Sequence, residues 1–106
     1  MNILLIAIDT LSARHMSCYG YHKPTTPSLD EFAGQGALCR QLYCPCVPTQ
    51  PNYTTTFTGQ YSITTGIVAH GGHNELSSSA PYLTEILQRN GYVTVGFDNL
   101  PIMKGW

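Results

Sequence analysis

Charge is what this chain has least of. Only 10% of its 106 residues are Asp, Glu, Lys or Arg, against about a quarter in an average domain. The net charge is −1, so the electrostatic footprint of a nucleic-acid binder is absent. So sparse a charge suits a surface covered by more chain or by another subunit, or a neutral surface rich in Ser, Thr and Tyr. A membrane-spanning run is also missing. The apolar start "ILLIAI" is six residues long, where a span needs about twenty. No basic segment precedes it, which argues against a secretory leader. The expectation is a cytoplasmic chain with no membrane partner. None of the four cysteines, Cys18, Cys39, Cys44 and Cys46, forms a C-x-x-C pair. A zinc or dithiol site is therefore not indicated, and reduced thiols are the default. Repeats and low-complexity tracts are lacking as well.

What remains is one small domain of ordinary hydrophobicity, 42%. Residues 2–8, "NILLIAI", form a continuous Ile- and Leu-rich run ending at Asp9-Thr10. That pattern predicts a buried parallel strand with polar chemistry past its carboxyl end. In "TPSLDEFAGQG" Thr26 can cap a helix, Pro27 suits its first turn, and Asp30 and Glu31 suit its positive end. Residues 37–43 read as a short strand. "PYLTEILQRNG" reads as the clearest helix, with Leu83, Ile86 and Leu87 on one face and Gly91 as its stop. "YVTVGFD", residues 92–98, alternates like a strand, and "NLPIMKGW" follows it with no helix to cover it. Strand–helix–strand order predicts an α/β, three-layer sandwich around a mostly parallel sheet. Two convincing helices cover such a sheet poorly, so residues 1–106 read as part of a larger fold or as a chain that pairs with another copy.

Two places carry candidate chemistry. Asp9 is a carboxylate at a strand end, where open α/β sheets place their sites, and could hold a hard or borderline cation. The stretch "CVPTQPNYTTTFTG", residues 46–59, has one thiol, six hydroxyls and no charge. Pro51 predicts a turn, and Asn52–Phe57 a short helix stopped at Thr58-Gly59. A hydroxyl or thiol just upstream stands at a helix amino end, where N–H groups and the dipole stabilise an anion. That suits a nucleophile acting on a phosphate or sulfate ester. On spacing alone, capping and turn roles for the same residues stay open. His70 and His73, in "AHGGHNE" with Glu75, are metal-like residues in a glycine-rich loop, and His15 and His22 lie in the loop after the first strand.

The order of motifs resembles the opening of a sulfatase, in the alkaline phosphatase superfamily. The family pattern is a strand ending in Asp, a CYG loop, TP-x-LD-x-[LF]A-x-x-G and a strand ending in Tyr. This chain has Asp9, Cys18-Tyr19-Gly20, Thr26-Pro27, Leu29-Asp30, Phe32-Ala33 and Gly36, then Tyr43, and later "YLTEILQRNGYVTVGF". Sulfatases carry C/S-x-P-S-R, whose first residue becomes formylglycine, with Thr-Gly some nine residues on. "CVPTQ" imitates that motif from Cys46, but Gln50 stands where formylglycine formation needs Arg. Nine residues before Thr58 lies Thr49, which opens T-Q-P-N. That resembles the T-x-P-N of the nucleotide pyrophosphatase/phosphodiesterase branch, in which Thr is the nucleophile and Asn holds the phosphoryl oxygens.

The resemblance thus implies Thr49 as nucleophile, Asn52 as oxyanion donor, and Cys46 as the alternative nucleophile. It implies a divalent metal (Zn, Mn, Ca or Mg) at Asp9 and Thr49, completed by later Asp and His residues and not held tightly by this segment alone. The family often has His-Gly after its Thr-Gly turn, where this chain has Thr65-Gly66; His70, four residues further on, is assigned a substrate contact. The expected function is hydrolysis of a small sulfate or phosphate ester through a covalent Thr intermediate, as the amino-terminal part of a larger enzyme. The competing expectation is an inactive fragment that acts only by self-association.

Overall fold

The computed structural model describes residues 1–71 and 74–98. It divides into two compact units, Met1–Tyr43 and Cys44–Trp106. Among the described residues the regular elements are all helical: α1 Pro27–Gly34, α2 Thr49–Thr58, α3 Ser62–Thr65 and α4 Leu83–Arg89, with 3-10 turns at Ala13–His15 and Ser17–Tyr19.

The expected α/β sandwich with its mostly parallel sheet is not what forms. Residues 2–8, 37–43 and 92–98 contain no strand, although their composition favours one. The cause lies in where each element finds its hydrogen bonds. A helix satisfies its backbone within a few residues, whereas a strand needs a neighbour, and parallel neighbours are distant in sequence. Strand propensity is the fit of a side chain to a pleated, half-buried surface, and without that surface it has nothing to act on. Leu4 and Ile6 are accordingly 83% and 70% exposed, and Val93 and Phe97 92% and 96%. The segment "NLPIMKGW" lies, from Asn99 onward, outside the described residues, as does His73.

In the first unit the motif residues fold into one polar knot. Thr26 precedes α1 as expected, but its hydroxyl does not cap the helix backbone. It accepts from the Ser17 N–H at 3.1 Å and donates to Asp30 Oδ1 at 3.1 Å. The Thr26 N–H donates to Ser17 Oγ at 3.4 Å. The CYG loop is thereby fastened to the first turn of α1. The loop closes at Gly20, whose φ of 99° lies in the left-handed region, and Tyr19 Oη donates to the Cys39 carbonyl at 3.1 Å. His15 and His22 both pack against the Tyr21 ring, at 5.3 and 4.6 Å between centroids.

The hydrogen bond from Ser17 is the main cause that holds the Asp30 carboxyl below its ordinary range; desolvation opposes it, and bonds from Thr26 and Cys18 add to the lowering. A carboxyl with a lowered folded-state pKa contributes stability above its unfolded value, and that contribution is lost as pH falls through the folded value. Thermal melts taken from pH 6 down to about pH 3 should therefore show wild type losing more of its midpoint than Asp30→Asn. Parallel acid limbs for the two proteins would contradict the knot's role.

The second unit holds the buried residues. Pro51, Thr54 and Thr58 line the inward face of α2, and Ile67 after α3 is 5% exposed. Two buried hydroxyls on one helix face are paired without outside help: Thr54 Oγ1 donates to the Gln50 carbonyl at 2.9 Å and Thr58 Oγ1 to that of Thr54 at 2.7 Å. Phe57 of α2 stacks on Tyr82, which caps α4, at 5.5 Å. Burial pushes the Tyr82 phenol above its usual pKa. α4 begins at Leu83, two residues past Pro81, and Leu83 and Ile86 remain exposed.

Candidate active site

α2 starts earlier than its sequence suggested. Pro51 does not precede the helix; it is the third residue of it. The first turn tolerates proline because its N–H groups have no intrahelical partner anyway. The Asn52 N–H reaches the Pro48 carbonyl at 3.3 Å. Thr49 is therefore the first residue of the helix, and Asn52, three residues on, shares its side of the first turn. Both are half-buried. At the far end Gly59, with φ 67°, stops the helix where Thr58-Gly59 predicted it.

α2 carries five threonines, and their surroundings differ. Thr54, Thr56 and Thr58 each donate to the carbonyl four residues back. Thr55 Oγ1 lies 3.3 Å from Cys46 Sγ. Thr49 alone occupies the first turn, at the positive end of the helix.

Two further groups reach this end of α2. Cys44 Sγ lies 3.0 Å from Asn52 Oδ1 and also within hydrogen-bonding reach of the Cys46 carbonyl. Gln50 Oε1 accepts from the Gly71 N–H at 3.1 Å, which fastens the segment carrying His70 to the first turn. His70 is exposed. Asn74 Nδ2 donates to the Gly66 carbonyl at 2.9 Å, holding the following segment to the end of α3. In the second unit Thr49 and Asn52 thus share the first turn of α2, Gly71 is bonded to that turn through Gln50, and the Cys46 sulfur lies against Thr55.

Asp9 belongs to the first unit. It sits in a turn and accepts the Thr10 N–H at 2.9 Å. Thr10 has a φ of 62°, a left-handed conformation that a β-branched residue adopts only under constraint. Among the described residues no three His, Cys, Asp or Glu side chains gather as a metal cluster. One carboxylate and one hydroxyl leave most coordination positions of a divalent ion to water, so these residues do not by themselves form its cage.

The family model for sulfatase matches residues 1–102. The chain belongs to the sulfatase family. It is 30% identical over 96 residues to an N-acetylgalactosamine-6-O-sulfatase of Bacteroides thetaiotaomicron, covering 88% of this chain and 19% of that protein. Arylsulfatase A of Homo sapiens is 29% identical over 97 residues, with 88% and 19% covered. Arylsulfatase H of Homo sapiens is 28% identical over 103 residues, with 88% and 18% covered. This sulfatase-family chain spans about a fifth of the length of these relatives. No solved structure matches it significantly. No helix among its described residues is long and apolar enough to cross a membrane.

Sequence reasoning passed over two residues of this sulfatase-family segment. Gln50, which in the sequence only replaces an arginine, bonds the Gly71 N–H next to His70. Cys44, one of four thiols with no paired spacing, touches Asn52. Its place before the helix was the only signal, and spacing cannot say which way a loop residue turns.

Proposed function

We propose that this chain supplies the nucleophile end of a sulfate-ester hydrolase, with Thr49 as the attacking group and Asn52 as the donor to the ester oxygens. Thr49 Oγ forms a bond to sulfur as the bond from sulfur to the ester oxygen breaks. The released alcohol leaves with the proton that Thr49 loses. Water then cleaves the Thr49 sulfate ester, restoring the hydroxyl and releasing sulfate. The observation that carries this reading is the position of Thr49: it is the first residue of α2, at the positive end of the helix, with Asn52 on the same side of the first turn. The divalent cation that sulfatases use remains part of the reading. Asp9 is its expected ligand and His70 the expected substrate contact. Phosphate esters are the second reading, favoured by the Thr49-x-Pro51-Asn52 spelling.

The test is made on the natural polypeptide that carries this sequence. After incubation with an aryl sulfate and an acid quench, peptide mass spectrometry should find sulfate on Thr49 and Cys46 as an unmodified thiol. Cys46 found as formylglycine would overturn the assignment. Trapping with a phosphodiester in place of the aryl sulfate separates the two substrate classes.

A further inference from the structure

We infer that Cys44 is a positioning residue for Asn52, its thiol fixing the side-chain amide so that the N–H₂ end faces the ester. The inference rests on the Thr49 and Asn52 reading above. The amide of Asn52 is planar, with an acceptor at one end and two donor hydrogens at the other. An anionic ester requires the donor end. The opposite end, Oδ1, must then meet a donor or lose a hydrogen bond on partial burial. Cys44 Sγ is that donor, 3.0 Å away. The Cys46 carbonyl lies within reach of the same thiol, so one side chain touches both the loop before α2 and the helix's first turn.

The geometry also accounts for the placement of a thiol ahead of the helix. Asn52 reaches the site from a turn that Pro51 leaves one N–H short. Its side chain has rotational freedom about two bonds, and a group that must meet a transition state gains from being held before substrate arrives. Cys46 does not share this role, because its sulfur faces Thr55, one turn further along.

The experiment is a double-mutant cycle in the natural polypeptide, with kcat and KM measured on an aryl sulfate. Cys44→Ala should lower kcat by about three- to tenfold, the range of one ordinary hydrogen bond, with KM within about twofold. Cys44→Ser keeps a donor hydrogen and should recover most of the loss. In an Asn52→Ala background, Cys44→Ala should have no further effect. Equal losses in the Cys44→Ser and Cys44→Ala proteins, or the same loss in both backgrounds, would overturn the assignment. Thr49→Ala run alongside separates the two levels. If it kills turnover while Cys44→Ala is neutral, only the Cys44 role fails. If it leaves turnover intact, the site reading fails and takes the Cys44 role with it.

Discussion

Replacing Thr49 by Ala in the natural polypeptide should abolish turnover, by about four orders of magnitude or more, the scale seen when a covalent nucleophile is removed. Cys46→Ala should leave most of the activity. The contrast follows from register and from structure together. Thr58-Gly59 lies nine residues after Thr49, and Thr49 opens α2, whereas Cys46 lies outside the helix with its sulfur against Thr55. Thr49→Ser keeps a hydroxyl at the same place and should retain part of the rate, which an alanine cannot. Circular dichroism of the three variants should match wild type, because Thr49 is not among the buried residues that hold the second unit. A Cys46→Ala protein as inactive as Thr49→Ala would return the nucleophile to the thiol.

The second large effect concerns assembly. The 106-residue chain on its own should self-associate at micromolar concentration. Ile3, Leu4, Leu5, Ile6 and Ile8 are each more than half exposed. Full burial of such a side chain is worth about 1.5–3 kcal/mol. Five on each of two partners therefore offer on the order of ten kcal/mol or more before the costs of association, where micromolar binding needs about 8. Few charges oppose the contact, and a two-fold dimer is the simplest closed form. Light scattering on freshly purified chain checks this. A clean monomer with a concentration-independent melt would show that this run finds its cover within the chain.

Local grammar was legible in the sequence and long-range pairing was not. Pro27 at the start of α1, and Gly59 and Gly91 just past α2 and α4, read correctly because each acts within one turn of itself. The strands at 2–8, 37–43 and 92–98 misread because a strand is completed only by a partner elsewhere. The α1 dipole is a local argument for Asp30 and misses its bonds to Ser17 and Thr26. At the site, the family resemblance pointed to Thr49 and Asn52, which spacing alone left open as capping or turn residues. The side-chain contacts of Gln50 and Cys44 were invisible to it, since both depend on how a loop folds back.

The back-bonded threonines of α2 have a consequence for chemical selectivity. A hydroxyl-rich stretch beside a sulfuryl or phosphoryl electrophile faces a problem of regioselectivity, because transfer to a neighbouring oxygen would yield a dead-end ester. Thr54, Thr56 and Thr58 avoid it by conformation. Each turns its hydroxyl along the helix axis, four residues back toward a carbonyl of the preceding turn, and a hydroxyl donating there is not presented outward for attack. Three of the five threonines of α2 are in this way withdrawn from competition by the helix itself.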